Sequence, residues 1–153
     1  MLQEVEIYKK IKCREMEIVL NDTKTIREIQ NEFNKEFKYL KIEFFDIPHT
    51  PEAPKLKSKM YNSDRKLGLC RKVHTDGILE LRADKTVAEL ESELWVKFGL
   101  SAQIFRKTGS LWIETNLTDA WTLERQNSEG RELRFNHEEA PEHADPNKKG
   151  IWR

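Results

Sequence analysis

The amino-acid sequence predicts an α+β fold in which two amphipathic helices pack on a mixed sheet and one half repeats the other. Three observations predict it. Residues 17–37, EIVLNDTKTIREIQNEFNKEF, align at an offset of 61 with residues 78–98, ILELRADKTVAELESELWVKF. Each copy carries a Thr-x-x-Glu box directly ahead of an apolar stripe with helical spacing. A Thr-Gly pair at 108–109 divides two strand-like runs. Together they read as a ferredoxin-like β-α-β-β-(short α)-β unit used twice.

Each copy opens on a short β-like run, 17–20 and 78–81. Thr25 with Glu28, and Thr86 with Glu89, then form capping boxes: the hydroxyl accepts the N3 amide while the carboxylate accepts the cap amide. Donors left without a partner at a helix start are thereby satisfied. The stripes Ile26, Ile29, Phe33, Phe37 and Val87, Leu90, Leu94, Phe98 place one apolar face on each helix. Gly99 supplies the stop of the second helix. Strands follow at 40–45 and 101–107, and so short a strand–helix–strand order favours a right-handed parallel crossover.

With one residue deleted, Leu40, Ile42 and Phe44 align with Leu100, Ala102 and Ile104. A hairpin closed at 108–109 pairs Lys107 with Ser110, Phe105 with Trp112 and Ile104 with Ile113. Asp119 caps one short helix, and RELRF at 131–135 reads as the last strand. The first copy ends in a comparable tail before 78–81, so that strand closes one copy (16–81) and opens the next (78–135). One fused sheet over 16–135 is the expectation, preceded by an N-terminal extension of 1–15. Between the copies, Pro48, Pro51 and Pro54 deny a helix, and alternating Lys55, Lys57 and Lys59 guard an edge strand through Leu56, Ser58 and Met60. Residues 136–153 are polar and proline-interrupted and read as a disordered tail.

Composition narrows the function. The 153 residues carry 27 basic and 27 acidic side chains, so zero net charge disfavours nucleic acid as a partner. No apolar run reaches the roughly 20 residues of a membrane span, and the start of the chain lacks the apolar region of a signal peptide. Cys13 and Cys70 make no disulfide framework, which points to the cytoplasm.

No catalytic, cofactor or metal motif stands out. Cys70 and His74 are four apart, as a nucleophile and base on one helix would be, but a small buried thiol near a turn histidine explains them as well. His137 and His143 lie among acids in the tail, without a rigid surrounding shell. The glycines are isolated and form no phosphate loop. A non-enzymatic protein is therefore expected.

Aromatic residues supply the candidate site. Period-two alternation sets Phe105 and Trp112 on the sheet face opposite Ile104 and Ile113, and Trp95 flanks the buried stripe of the second helix. Exposed, Phe105, Trp112 and Trp95 would anchor a protein partner or self-association, or would stack single-stranded bases. The segment AQIFRKTGSLW lacks the basic-Gly-aromatic pattern of RNA-recognition domains.

At TKTIREIQNEFNKEFKYLKIEFF and GLSAQIFRKTGSLWIETNLTDAWTLERQN the chain resembles short bacterial hypothetical proteins of Bacteroidetes-type genomes. The resemblance covers roughly residues 16–130 and implies a small free-standing cytoplasmic protein beginning near Met16. It brings no assigned activity, cofactor or catalytic residue. The sequence thus supports an interaction or adaptor module, with single-stranded nucleic-acid binding as the alternative.

Overall fold

The computed structural model describes the backbone of residues 15–46 and 58–138, with side chains through Leu133. The order is β1 (Met16–Leu20), α1 (Ile26–Glu36), β2 (Leu40–Phe45), a 3-10 turn (Leu67–Leu69), β3 (Gly77–Leu81), α2 (Val87–Phe98), β4 (Ser101–Thr108), β5 (Leu111–Glu114), a second 3-10 turn (Asn116–Thr118) and α3 (Leu123–Glu138). The fold is α+β, with three helices and two antiparallel sheets, β1-β3 and β2-β4-β5.

The expected single mixed sheet is thus replaced by two sheets without a parallel pair among the described residues. The crossover helix α1 leaves β1 in one sheet and enters β2 in the other. The strands themselves explain this. β1, β2 and β3 alternate buried with more accessible positions, as Ile18 and Leu20 do against Glu17 and Val19, while β4 buries its first four residues in a row. That pattern suits antiparallel sheets with one solvated face, whereas parallel strands need apolar residues on both faces. The inner faces of both sheets and the stripes of α1 and α2 meet in one core that includes Phe33, Phe44, Phe98 and Ile104.

Both capping boxes form, with Thr25 and Thr86 in extended backbone accepting from the amides of Glu28 and Glu89. Gly99 ends α2 in the left-handed region at φ 64°, where a Cβ would be strained. The helices also close sheet edges. From α1, Gln30 Nε2 donates to the Ile42 carbonyl (2.7 Å) and Asn34 Nδ2 to that of Leu40 (3.1 Å). From α2, Glu91 Oε1 accepts the Ile104 amide (3.0 Å). Gln30 and Glu91 are separated by the sequence offset, and Ile42 and Ile104 lie opposite each other in the β2-β4 ladder.

The same recurrence holds at the other sheet. Lys24 donates to the Val19 carbonyl and pairs with Glu32; Lys85 donates to the Glu80 carbonyl and pairs with Glu93. This also corrects the expected shared strand. β3 pairs with β1 along one edge, while Lys85 takes a carbonyl on the other.

Further recurrences are not visible in the sequence. Leu67 donates its amide to Lys24 O and Leu123 to Lys85 O; Ile26 donates to Arg65 O and Val87 to Trp121 O. Segments 63–68 and 119–124 therefore dock alike on the starts of α1 and α2, each burying one leucine completely. After Leu123 the chain continues as α3, so 131–135 is helical where a strand was expected. Leu123, Gln126 and Gly130 are buried at helical spacing, and that face decides the matter. The helix also takes in 136–138, the start of the segment read as a tail. The expected edge strand at 55–60 contributes one bridge, Met60 to Phe45, and its first residues lie outside the described set.

Candidate interaction face

The hairpin that carries two of the aromatic residues turns one position later than expected. Its loop is Gly109-Ser110, and the register pairs Phe105 with Glu114, Arg106 with Ile113, Lys107 with Trp112 and Thr108 with Leu111. A two-residue loop needs positive φ at its first residue. Gly109 meets that demand at φ 59°, which Thr108 would meet only with strain. Because the partner of Phe105 shifts by two residues, face parity is kept. Phe105 and Trp112 still share the outer face of the three-stranded sheet, now as diagonal neighbours.

Both rings are partly exposed. Lys41, opposite Phe105 on β2, places its ammonium 5.4 Å from the Phe105 centroid and 5.2 Å from that of Trp112. Lys107, opposite Trp112 on β4, places its ammonium 5.9 Å from the Trp112 centroid. Such cations are attracted by the ring quadrupole. Lys41 is itself paired with Glu43. The result is a pair of partly exposed rings with charge of both signs beside them.

Trp95 does not join this surface. It is 48% exposed on α2 and lines a separate groove of about 640 Å³ with Tyr61, Cys70, Val73 and Val96. Trp121, at the docking segment before α3, lies between Arg125 (3.8 Å) and Arg106 (5.5 Å).

The thiol and the histidine each have another hydrogen-bond partner. Cys70 Sγ donates to the Lys66 carbonyl, and burial pushes its pKa up, away from the thiolate. His74 Nδ1 instead meets Asp22 Oδ2 at 2.8 Å. The other carboxylate oxygen of Asp22 accepts from the buried guanidinium of Arg71, which also donates to Thr75 O and Phe98 O. These bonds, Arg71 first, hold Asp22 below the usual carboxylate range. Arg71 thereby ties the loop after the first docking segment to the end of α2. Asn127 does the corresponding work in the other direction, accepting the Tyr39 amide just past α1.

Glu91 is the one strongly perturbed acid among the described residues. Burial raises its pKa to about 7, opposed by the bond from the Ile104 amide and reinforced by Asp119 and Glu114. No signal in the sequence marks it, because its desolvation comes from chain segments that folding brings together. No group of three metal-ligating side chains occurs among the described residues, and His137 and His143 lie outside the described side chains. None of the described helices is long and apolar enough to cross a membrane. Compared with known proteins, the chain matches no family model, no curated protein and no solved structure.

Proposed function

We propose that this protein is a non-enzymatic interaction module that binds a protein partner through the outer face of β2-β4-β5, with Phe105 and Trp112 as its anchors. One observation carries this reading: two partly exposed rings share a face with Lys41 in contact with both. Large aromatics that can be fully desolvated by a partner dominate interface energies, while surrounding charged side chains exclude water. Trp95, in its own groove, is a second contact point rather than part of the same patch. The two cysteines, which make no framework in the sequence, support a cytoplasmic setting for this activity.

Capture from native lysate with wild type and the Phe105→Ala/Trp112→Ala variant, each with and without nuclease, tests the proposal. A protein partner that survives nuclease and is lost with the variant is the expected result, with Trp112→Ala alone weakening binding by about 2 kcal/mol. Capture unchanged by the substitutions overturns the proposal. The flanking of Trp112 by Lys41 and Lys107 favours one second reading, stacking of single-stranded bases beside phosphate-binding cations. In that case the captured material vanishes with nuclease and affinity falls steeply with salt.

A further inference from the structure

The edges of the two sheets are treated unequally. Gln30 and Asn34 close the edge of β2, Glu91 closes that of β4 where β5 stops, and Lys24 and Lys85 take carbonyls at the edges of β1 and β3. In the first half, Met60 bridges Phe45, with the Tyr61 amide donating to Phe44 O and the Asp46 amide to Lys59 O, so the chain's own segment occupies that end of the outer edge of β2. A covered edge does not pair with another chain. The edge strand of the second half, β5, runs LWIE and has no lysine or proline.

The ladder phase shows what β5 presents. The amide of Lys107 donates to Tyr39 O, on the β2 side, so the backbone groups of Arg106 and Thr108 point to β5. Their partners Ile113 and Leu111 point back to β4, and the N–H and C=O of Trp112 are directed outward. On the inner face of β5, Leu111 is 68% and Ile113 37% exposed.

From this edge we infer that the partner is a second copy of this chain, joined by antiparallel pairing of β5 with the partner's β5 about a two-fold axis at Trp112. The inference rests on the proposed interaction face through Trp112 alone, since Phe105 lies one strand further in on β4 and stays outside the β5–β5 contact. In this register Trp112 exchanges both backbone hydrogen bonds with the partner's Trp112, and the two indoles lie side by side on the outer face. Leu111 packs against the partner's Ile113, and Ile113 against the partner's Leu111. The only charged residue of the strand, Glu114, faces the partner's Ser110, so no like charges oppose. Centring the axis one residue later would set Leu111 against the partner's Thr115 and leave that apolar match unmade. The contact is isologous and closes on itself as a dimer with one continuous sheet of both chains.

Sedimentation of the full chain across the micromolar range tests this. Wild type is expected to pass from monomer to dimer, and Leu111→Lys/Ile113→Lys to weaken the association at least about tenfold. A Val19→Lys control, at an exposed position of β1 in the other sheet, is expected to leave it intact. The register is tested by Trp112→Cys in a Cys13→Ser/Cys70→Ser background. A hydrogen-bonded antiparallel pair sets its Cα atoms about 5.5 Å apart, within disulfide reach, so mild oxidation should give a covalent dimer. A wild type that stays monomeric throughout, or a dimer that the lysine variant leaves unchanged, overturns the self-pairing. So does failure of the cysteine variant to cross-link under conditions where wild type is dimeric. If wild type is monomeric while Phe105→Ala/Trp112→Ala still releases a captured protein, self-pairing falls and the interaction face stands.

Discussion

The two halves of this molecule start alike and end differently. In each, a lysine ties a strand carbonyl to a helix glutamate, a threonine caps the helix, and a later segment docks on the helix start with one buried leucine. Past that leucine they diverge. In the first half Gly68 lies against Asp22, where a Cβ would come within 2.9 Å of the aspartate Cβ, and the chain turns inward at Arg71. In the second half Glu124 holds the corresponding docking position and the chain runs on as the 16-residue α3. Between the two halves, then, the core fixes only the docking leucine. Beyond it the chain is free to become an ion-paired loop or a helix.

The sharpest way to break this comparison is to remove the two leucines in turn. Leu67→Ala and Leu123→Ala are each expected to cost about 2–5 kcal/mol in denaturant unfolding, as buried leucines do. Costs that differ by more than about 2 kcal/mol would show that the two docking sites are not equivalent.

A smaller effect sharpens the contrast between Gln30 and Glu91, which close the edges of β2 and β4 with an amide and a carboxyl. The folded pKa of Glu91, about 7, lies above its ordinary value of 4.5. Between these values the unfolded chain has released the proton that the folded protein retains. Wild-type stability attributable to Glu91 is therefore full below the unfolded value and declines as pH rises towards 7. Above that, the loss is constant. Glu91→Gln, which still offers a carbonyl to the Ile104 amide, should match wild type at acid pH. It should exceed wild type above neutrality by at most about 3 kcal/mol. Parallel stability curves from acid to alkaline pH would count against this role for Glu91.

The smallest expected effect concerns the caps. Thr25→Ala and Thr86→Ala should each cost about 1 kcal/mol, and the double variant close to their sum. Thermal unfolding of the three variants checks it, and a cap that costs nothing would mark the half whose helix start is held by its docking segment alone.

Much of this architecture is legible in the sequence. The capping boxes, both apolar stripes, Gly99 and the shared face of Phe105 and Trp112 depend on spacing along a few residues. The hairpin register is not legible from spacing alone, because the choice between Thr108 and Gly109 depends on which residue must adopt positive φ. RELRF reads as a strand and is a helix, since five residues with alternating apolar character fit both periods until the docking of Leu123 sets the helix phase. The separation of Trp95 from the sheet aromatics depends on how α2 lies along β4, which the stripe alone leaves open.

Where α1 and α2 begin, which faces they bury and which residues of β1, β2 and β3 point inward are legible in the order of the amino acids. Those depend on hydrogen bonds and side-chain periods within a turn or two of chain. That equivalent strands pair with each other, Ile18 with Leu79 and Ile42 with Ile104, and that β5 keeps an outward-facing edge, emerges only in the folded chain. Strand pairing joins residues some sixty positions apart. Which edges remain available for it depends on which backbone groups the helix side chains have already taken.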